Sequence, residues 1–162
     1  MSGFYGKHRG TVANNVDPRQ LGRLQVVVPT VLGTSRLSWA MPCVPYAGPG
    51  VGFFALPPVG ASLWVEFEGG DPDHPIWVGG FWEQSSDVPA SPAIAEKKVY
   101  KTATATLTLD DTPGAGGVTL ETTAGMKIVL GVQGIEINDG QGATVKLQGP
   151  KTAVNGTALE VT

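Results

Sequence analysis

The chain has 162 residues, a formal net charge of -3, and 11 Lys and Arg residues scattered along its length. It therefore lacks the cluster of basic residues that is typical of nucleic-acid-binding proteins and of proteins that bind anionic membranes. It also has no run of 18 apolar residues and no N-terminal signal-peptide pattern. We therefore expect a protein that is made in the cytoplasm and does not leave by a signal peptide.

The aromatic residues divide the chain into two parts. All four Trp and all five Phe lie between Phe4 and Trp82, so only the first part has the side chains of an ordinary globular core. Five or six short strands without helical periodicity favour a small closed barrel over a sandwich, because closure removes strand edges. Alternating or apolar runs between Gly/Pro turns predict these strands at 8–13, 21–28, 37–44, 53–56, 62–67 and 76–82.

Residues 83–98 separate the two parts. This segment contains Pro89 and Pro92 and ends on Lys97 and Lys98, a composition typical of an extended linker. It is too short to contain another domain. We therefore predict domains at 1–82 and 99–162.

The second part repeats itself with a period of 17 residues. Val118 and Leu120 align with Ile135 and Ile137, and the next step reaches Val154. Each unit contains two short strands with period-2 alternation and a Gly-bearing turn, and a fixed period of this kind indicates a stacked-strand architecture. A disordered Thr/Gly-rich tail is the alternative, but disorder would not preserve an in-register alternation.

One copy of this repeat cannot form a conventional core, because it contains no aromatic residue after Tyr100. A single strip of aliphatic side chains buries too little surface to offset the entropy of ordering the chain. We therefore predict that several copies wrap around one axis and share an aliphatic core. The residues predicted to point inward are Val118, Leu120, Met126, Ile128, Leu130, Ile135, Ile137, Val145, Leu147 and Val154.

Candidate chemistry in the first part is sparse. His8 and His74 do not have metal-ligand spacing with Cys43, which we interpret as a small buried residue in the apolar run 39–44. The acidic residues of 66–73 offer carboxylates for hydrolysis or calcium binding. We interpret them as a solvated face or a subunit contact, since Glu66 and Glu68 lie on one side of an alternating strand. We expect no catalytic residue, no metal site and no cofactor.

Residues 7–82 contain several short motifs whose order is specific although each motif alone is weak. The motifs are Gly10-Thr-Val12 with Asp17-Pro18, Leu21-Gly22-Arg23-Leu24-Gln25-Val26, Trp39-Ala-Met-Pro42, Pro58-Val59-Gly60, Val65-Glu66-Phe67 and Gly70-Asp71-Pro72. In this order they resemble the OB-fold domain of contractile-tail spike proteins. That family includes phage baseplate assembly protein V, phage tail spikes, the valine-glycine-repeat spikes of type VI secretion, and extracellular contractile injection systems.

The resemblance implies an all-β protein with an OB-fold barrel followed by a trimeric intertwined β-helix, or needle. Type VI spikes carry hub domains before the barrel, so here the hub is expected to be a separate protein. Some phage spikes carry a lysozyme domain between barrel and needle, and others bind iron through paired histidines near the tip. This chain has no room for the first in its linker and no histidine after His74 for the second.

We therefore predict a non-enzymatic homotrimeric spike that sits on the hub, contacts inner-tube and baseplate proteins, and pierces a target envelope. It is expected to assemble in the cytoplasm and then to belong to a virion or an extracellular injection particle. The resemblance also implies a small conical tip protein with proline-alanine-alanine-arginine repeats. Leu159, Val161 and Thr162 are the predicted docking residues for that protein.

Two alternatives remain open. An OB fold commonly binds oligonucleotides or carbohydrates through exposed aromatic rings. However, Trp64, Trp77 and Trp82 have mostly acidic or glycine neighbours, which favours core and interface packing. The other alternative is the shaft of a trimeric adhesin or fibre, which would carry a receptor-binding head after the repeats.

Overall fold

The computed structural model describes residues 3–156 and 158–161, and the chain divides into two compact units, Met1–Glu83 and Gln84–Thr162. The predicted all-β class is confirmed, because the helical segments among the described residues are turns of three or four residues. No helix in that part of the chain has the length and apolar character needed to cross a bilayer.

The first unit is a closed five-stranded barrel in the strand order β1-β2-β3-β7-β6. β3 pairs with β7 in parallel, and the other neighbouring strands are antiparallel. The helical turn α1 (Pro29–Leu32) joins β2 to β3, and a small hairpin of β4 and β5 lies outside the barrel sheet. The strands are β1 (His8–Asn14), β2 (Leu24–Val28), β3 (Gly33–Pro42), β4 (Ala47–Gly48), β5 (Val51–Gly52), β6 (Ser62–Phe67) and β7 (Pro75–Gly80).

The barrel core follows from strict alternation along its strands. In β6, Leu63, Val65 and Phe67 point inward and are buried, whereas the residues between them are only partly covered. This is the period-2 pattern of a strand with one buried face. The fully or nearly fully buried set is Val12, Leu24, Val26, Val28, Leu32, Ala40, Leu63, Val65, Phe67 and Trp77.

The long loop before β2 is held by one carboxylate. Asp17 accepts hydrogen bonds from the backbone N–H groups of Arg19, Leu21 and Arg23, and its side chain also pairs with the Arg23 guanidinium at 2.7 Å. These bonds fix residues 17–23 in a turn, so β2 begins at Leu24 and not at the predicted residue 21.

Three other expectations for the barrel are wrong. Residues 53–56 are not a strand; the chain turns back earlier at Gly50, whose φ of 74° closes the β4–β5 hairpin. Glu68 leaves β6 and begins a 3-10 turn, so it does not share a strand face with Glu66. Cys43 is exposed, because it lies beyond the end of β3, outside the alternation that fills the barrel.

The second unit is a single eight-stranded antiparallel sheet in which every strand pairs with the next strand along the chain. A 3-10 turn at Ser85–Asp87 precedes it, and its first strand begins at Lys97, inside the segment predicted as linker. The strands are β8 (Lys97–Lys101), β9 (Ala105–Asp110), β10 (Gly117–Thr122), β11 (Lys127–Gly131), β12 (Gly134–Asn138), β13 (Thr144–Gln148), β14 (Lys151–Val154) and β15 (Leu159–Val161).

The 17-residue repeat corresponds to a pair of neighbouring strands. β10, β12 and β14 begin at Gly117, Gly134 and Lys151, and β11 and β13 begin at Lys127 and Thr144. Each 17-residue unit is therefore a pair of antiparallel strands. Because the period is fixed, equivalent residues of successive units face the same side of the sheet.

Candidate trimer interface

The register of the sheet collects the aliphatic residues on one face, here called the aliphatic face. Residues directly opposite each other in antiparallel strands point to the same side. The pairing produces two continuous rows. One row is Tyr100, Leu107, Leu120, Ile128, Ile137, Val145, Val154 and Leu159, and the other is Leu109, Val118, Leu130, Ile135 and Leu147.

This face is uncovered in a single chain. Ile137 is 47% exposed and Leu130 is 46% exposed, although both lie in the middle of a sheet. Burying one such side chain contributes about 1.5–3 kcal/mol. An apolar face of this extent on one side of a sheet indicates a surface that another polypeptide covers.

All ten residues predicted to form the trimer core lie on or beside this face. Met126 stands in the turn before β11 and lines a shallow groove with Ile128, Ile137, Val145 and Val154. The assignment of these ten residues to contacts between chains stays a prediction. The structure adds three residues that sequence reasoning missed, namely Tyr100, Leu107 and Leu109. For Leu107 and Leu109 the signal was the alternation of Ala105–Asp110, which lies before the first clear repeat.

The opposite face of the sheet is polar. Glu136 and Lys146 stand opposite each other on β12 and β13 with 3.2 Å between their charged groups. Glu121 and Lys127 form a longer pair of the same kind at 3.9 Å. Exposed ion pairs contribute little to stability, but they mark this side as the one that faces solvent.

The turns at one end of the strands repeat as well. Asn138 accepts a hydrogen bond from the backbone N–H of Gly140 at 2.7 Å, and Asn155, 17 residues later, accepts one from Thr144 at 2.8 Å. Backbone N–H groups of Gln141 and Ala143 bind the Asp139 carboxylate and hold its pKa below the usual value, the Gln141 bond being the stronger influence. These side chains replace backbone partners that the turns lack.

The predicted tip residues are at the last strand. Leu159 is 59% exposed, and β15 pairs with β14 on one side only among the described strands. Val161 is the last residue of β15, and Thr162 lies outside the described residues.

Two of the three tryptophans considered for base stacking, Trp64 and Trp77, are engaged within the barrel. The Arg9 guanidinium lies 5.1 Å from the ring centre of Trp64 and 4.6 Å from that of Phe81. Trp77 is buried and donates its indole N–H to the Gly22 carbonyl at 3.2 Å. Trp82, in contrast, is 61% exposed. Stacking of bases on Trp64 or Trp77 is therefore disfavoured, since both rings are already engaged.

The acidic residues of the barrel also have partners. Glu66 binds Lys7 at 2.6 Å, Asp73 pairs with Arg36, and Asp71 binds His74 at 3.1 Å. The backbone N–H of Asp73, followed by the His74 ring, lowers the pKa of Asp71. Among the described residues, no group of three or more His, Cys, Asp or Glu side chains is placed to hold a metal ion.

Comparison with known proteins assigns both units. Residues 8–82 match the family model of the type VI secretion system/phage-baseplate injector OB domain. Residues 97–160 match the model of the phage baseplate V C-terminal trimerisation domain. No curated protein sequence matches the chain. The trimerisation match spans the whole aliphatic face, so the protein is a homotrimer. We expect the other two chains of the trimer to cover that face.

Proposed function

Because the chain belongs to the phage baseplate V family of baseplate and spike proteins, we propose that it is the central spike of a contractile injection particle or phage tail. In this proposal the homotrimer sits on a hub protein through its barrels, and its needle pierces the envelope of a target cell. The protein has a structural role and no enzymatic activity.

The observation that carries this proposal is the uncovered aliphatic face of the second unit. Three copies of a sheet with one aliphatic and one polar face can close around a shared axis, with all aliphatic faces inside. The central residues of the face, such as Ile128 and Ile137, have aliphatic partners on both neighbouring strands. A continuous seam of this kind supports a long and narrow shaft.

Stiffness is the mechanical property that such a spike needs. Six of the eight strands, β9 to β14, are paired on both sides within one chain. A segment opens easily when it has few buried contacts and exposed backbone hydrogen bonds. Strands paired on both sides, with one face closed by two further chains, lack such a segment and transmit axial load.

The remaining partners belong to the same proposal. The barrel side contacts the hub, the inner tube and baseplate proteins, and the needle touches the target membrane only transiently. The exposed Leu159 and the unpaired side of β15 support a tip protein with a conical shape at the end of the needle. Assembly takes place in the cytoplasm, and the finished spike acts as part of a virion or an extracellular particle.

A pair of lysine substitutions tests the spike assignment in particles. Ile137→Lys places three charges inside the closed trimer at several kcal/mol each, so we expect particles without spike density that do not puncture target cells. Thr119→Lys is the matched control, because Thr119 pairs with Thr108 and Val129 on the polar face. Electron microscopy and a target-killing assay give the readout. Normal killing by Ile137→Lys particles would contradict the proposal.

A binding measurement separates the spike from an oligonucleotide-binding OB fold. With a net charge of -3 and Arg9 engaged over Trp64, the purified trimer is expected not to retain single-stranded DNA or RNA even at low salt. Fluorescence anisotropy at low and high salt provides the measurement. Micromolar binding that weakens steeply with added salt would favour the oligonucleotide-binding alternative.

A further inference from the structure

The middle of the barrel sequence is free of charge although much of it is at the surface. Residues 37–65 contain no Lys, Arg, Asp or Glu. Tyr46, Val51 and Phe54 of this segment are all more than 60% exposed in the single chain. Depletion of charge with enrichment in aromatic residues and Met is the composition of the buried centre of a protein interface.

One part of this uncharged surface is a stripe on the outside of the barrel wall. Alternation along β3 sends the small Ala40 into the core and places Leu37, Trp39 and Met41 on the outer face. Ile76 of β7 extends the stripe, because it pairs with Met41. We call these four residues the barrel stripe. Outer positions of a barrel in water are normally polar, so the barrel stripe is unusual for an open surface.

The central residue of the barrel stripe is held in place. The Arg23 guanidinium lies 5.2 Å from the ring centre of Trp39, and the same guanidinium is fixed by Asp17. A rigid aromatic side chain loses little conformational entropy when a partner covers it. Trp39 therefore has the properties of an anchor residue in a contact.

The other part is the hairpin of β4 and β5 with its flanks. Tyr46, Val51 and Phe54, here called the hairpin surface, lie on or close beside a two-stranded sheet that is separate from the barrel sheet. The hydrogen bond from the Phe53 N–H to the Tyr46 carbonyl closes its base at 3.1 Å. An isolated two-stranded hairpin is marginally stable in water, so further packing against another surface would stabilise it.

The partner for these two apolar surfaces is another chain of the homotrimer. Contacts that close a threefold ring are heterologous, which means that each chain must offer two different complementary surfaces. The barrel stripe and the hairpin surface are two different apolar surfaces of one barrel and can meet this requirement. Each barrel is tied to the trimerisation domain by residues 84–96, a segment that spans at most about 45 Å. Tethering at this distance gives neighbouring barrels an effective concentration in the millimolar range.

We propose that, in the homotrimer, the hairpin surface of one barrel packs on the barrel stripe of the next barrel and so closes a ring of three barrels. The contact is apolar and depends on trimerisation through the needle. It rests on the homotrimer and is independent of membrane piercing.

Thiol labelling of the full-length trimer tests this contact. In a Cys43→Ser background, Leu37→Cys reports on the barrel stripe, and Val16→Cys, at a 74% exposed loop position outside both surfaces, is the control. Leu37 is 45% exposed in the single chain, so protection in the trimer must come from another chain. We expect a maleimide probe to label Leu37→Cys at least about tenfold more slowly than Val16→Cys.

A second substitution identifies what covers the barrel stripe. Adding Val51→Lys to the Leu37→Cys chain places a charge in the hairpin surface and is expected to restore labelling to the rate of Val16→Cys. Fast labelling of Leu37→Cys in an intact trimer, or protection that survives Val51→Lys, would overturn the proposal. Light scattering separates these results from loss of the trimer, which would return the mass of one 16.8 kDa chain.

Discussion

At the scale of single residues, Asp17 does more for the barrel than any other carboxylate described above. Its side chain is only 3% exposed and it accepts hydrogen bonds from three backbone N–H groups and from Arg23. The Arg23 side chain is the main cause of its pKa lying far below the ordinary value for aspartate. The charged form is therefore built into the fold of the loop before β2.

This arrangement predicts an acid-sensitive barrel. Because the folded-state pKa of Asp17 is depressed, its stabilisation is complete above the unfolded pKa of about 3.9 and is lost as pH falls below that value. We expect Asp17→Asn to lower the melting temperature at pH 7 by at least about 5 °C and to flatten its fall in acid. Tryptophan fluorescence measures the barrel alone, since all four Trp lie before residue 83.

The control for this prediction is Asp73→Asn. Asp73 also pairs with an arginine, Arg36, but the pair is exposed, and exposed pairs contribute little. Its melting temperature should stay close to that of the unchanged protein. Equal effects of the two substitutions would show that the hydrogen bonds accepted by Asp17 are not what stabilises the loop.

At the scale of elements, glycines set the spacing of the needle strands. Gly117, Gly131 and Gly134 lie opposite one another across β10, β11 and β12. A Cβ on Gly134 would collide with the carbonyl oxygen of Leu147, and its φ of 122° is a conformation that other residues rarely adopt. The strand spacing at this corner therefore depends on the absence of a side chain.

Substitution of Gly134 by alanine tests this point. Gly134→Ala must separate β12 from β13 and is expected to destabilise the needle by more than about 2 kcal/mol. Gly142→Ala is the matched control, because Gly142 has a similar φ of 114° but open space around it. It should cost only the conformational strain, about 1 kcal/mol. Guanidinium unfolding followed by far-ultraviolet circular dichroism measures the destabilisation caused by each substitution. Equal destabilisation by Gly134→Ala and Gly142→Ala would contradict this prediction.

At the scale of the whole molecule, the chain combines an ordinary core with a face that needs other copies. The barrel buries its own apolar side chains, whereas the needle leaves Leu120, Ile137 and Leu147 more than 40% exposed until a trimer forms. Needle formation is therefore tied to assembly, and barrel folding is not.

The end of the needle provides the prediction at this scale. Deletion of residues 157–162 removes β15, and we expect the remaining strands to keep the trimer while capture of the proposed tip protein from the producing cell is lost. Light scattering and a pull-down from that cell give the two measurements. A truncated trimer that still recovers the tip protein would contradict the placement of the docking site at Leu159.

The sequence alone determined most of the needle strands and most of the barrel strands. Alternation and turn-forming glycines are local signals. The strand positions predicted from the 17-residue repeat therefore agree closely with β10 to β13 in the structure. The need for several copies followed from the same signal, since a repeat with no aromatic residue after Tyr100 could not form a core alone. That the number of copies is three was implied by the family resemblance.

Tertiary structure decided which apolar residues the barrel encloses. Along residues 37–42 of β3 both faces are apolar or small, and the narrow barrel takes Ala40 inside while Leu37, Trp39 and Met41 remain outside. Sequence periodicity gives the alternation but not its direction, because direction depends on the volume that neighbouring strands leave free. The exposure of Cys43 and the late start of β2 have the same kind of cause. They depend on where Asp17 and the end of β3 lie in space.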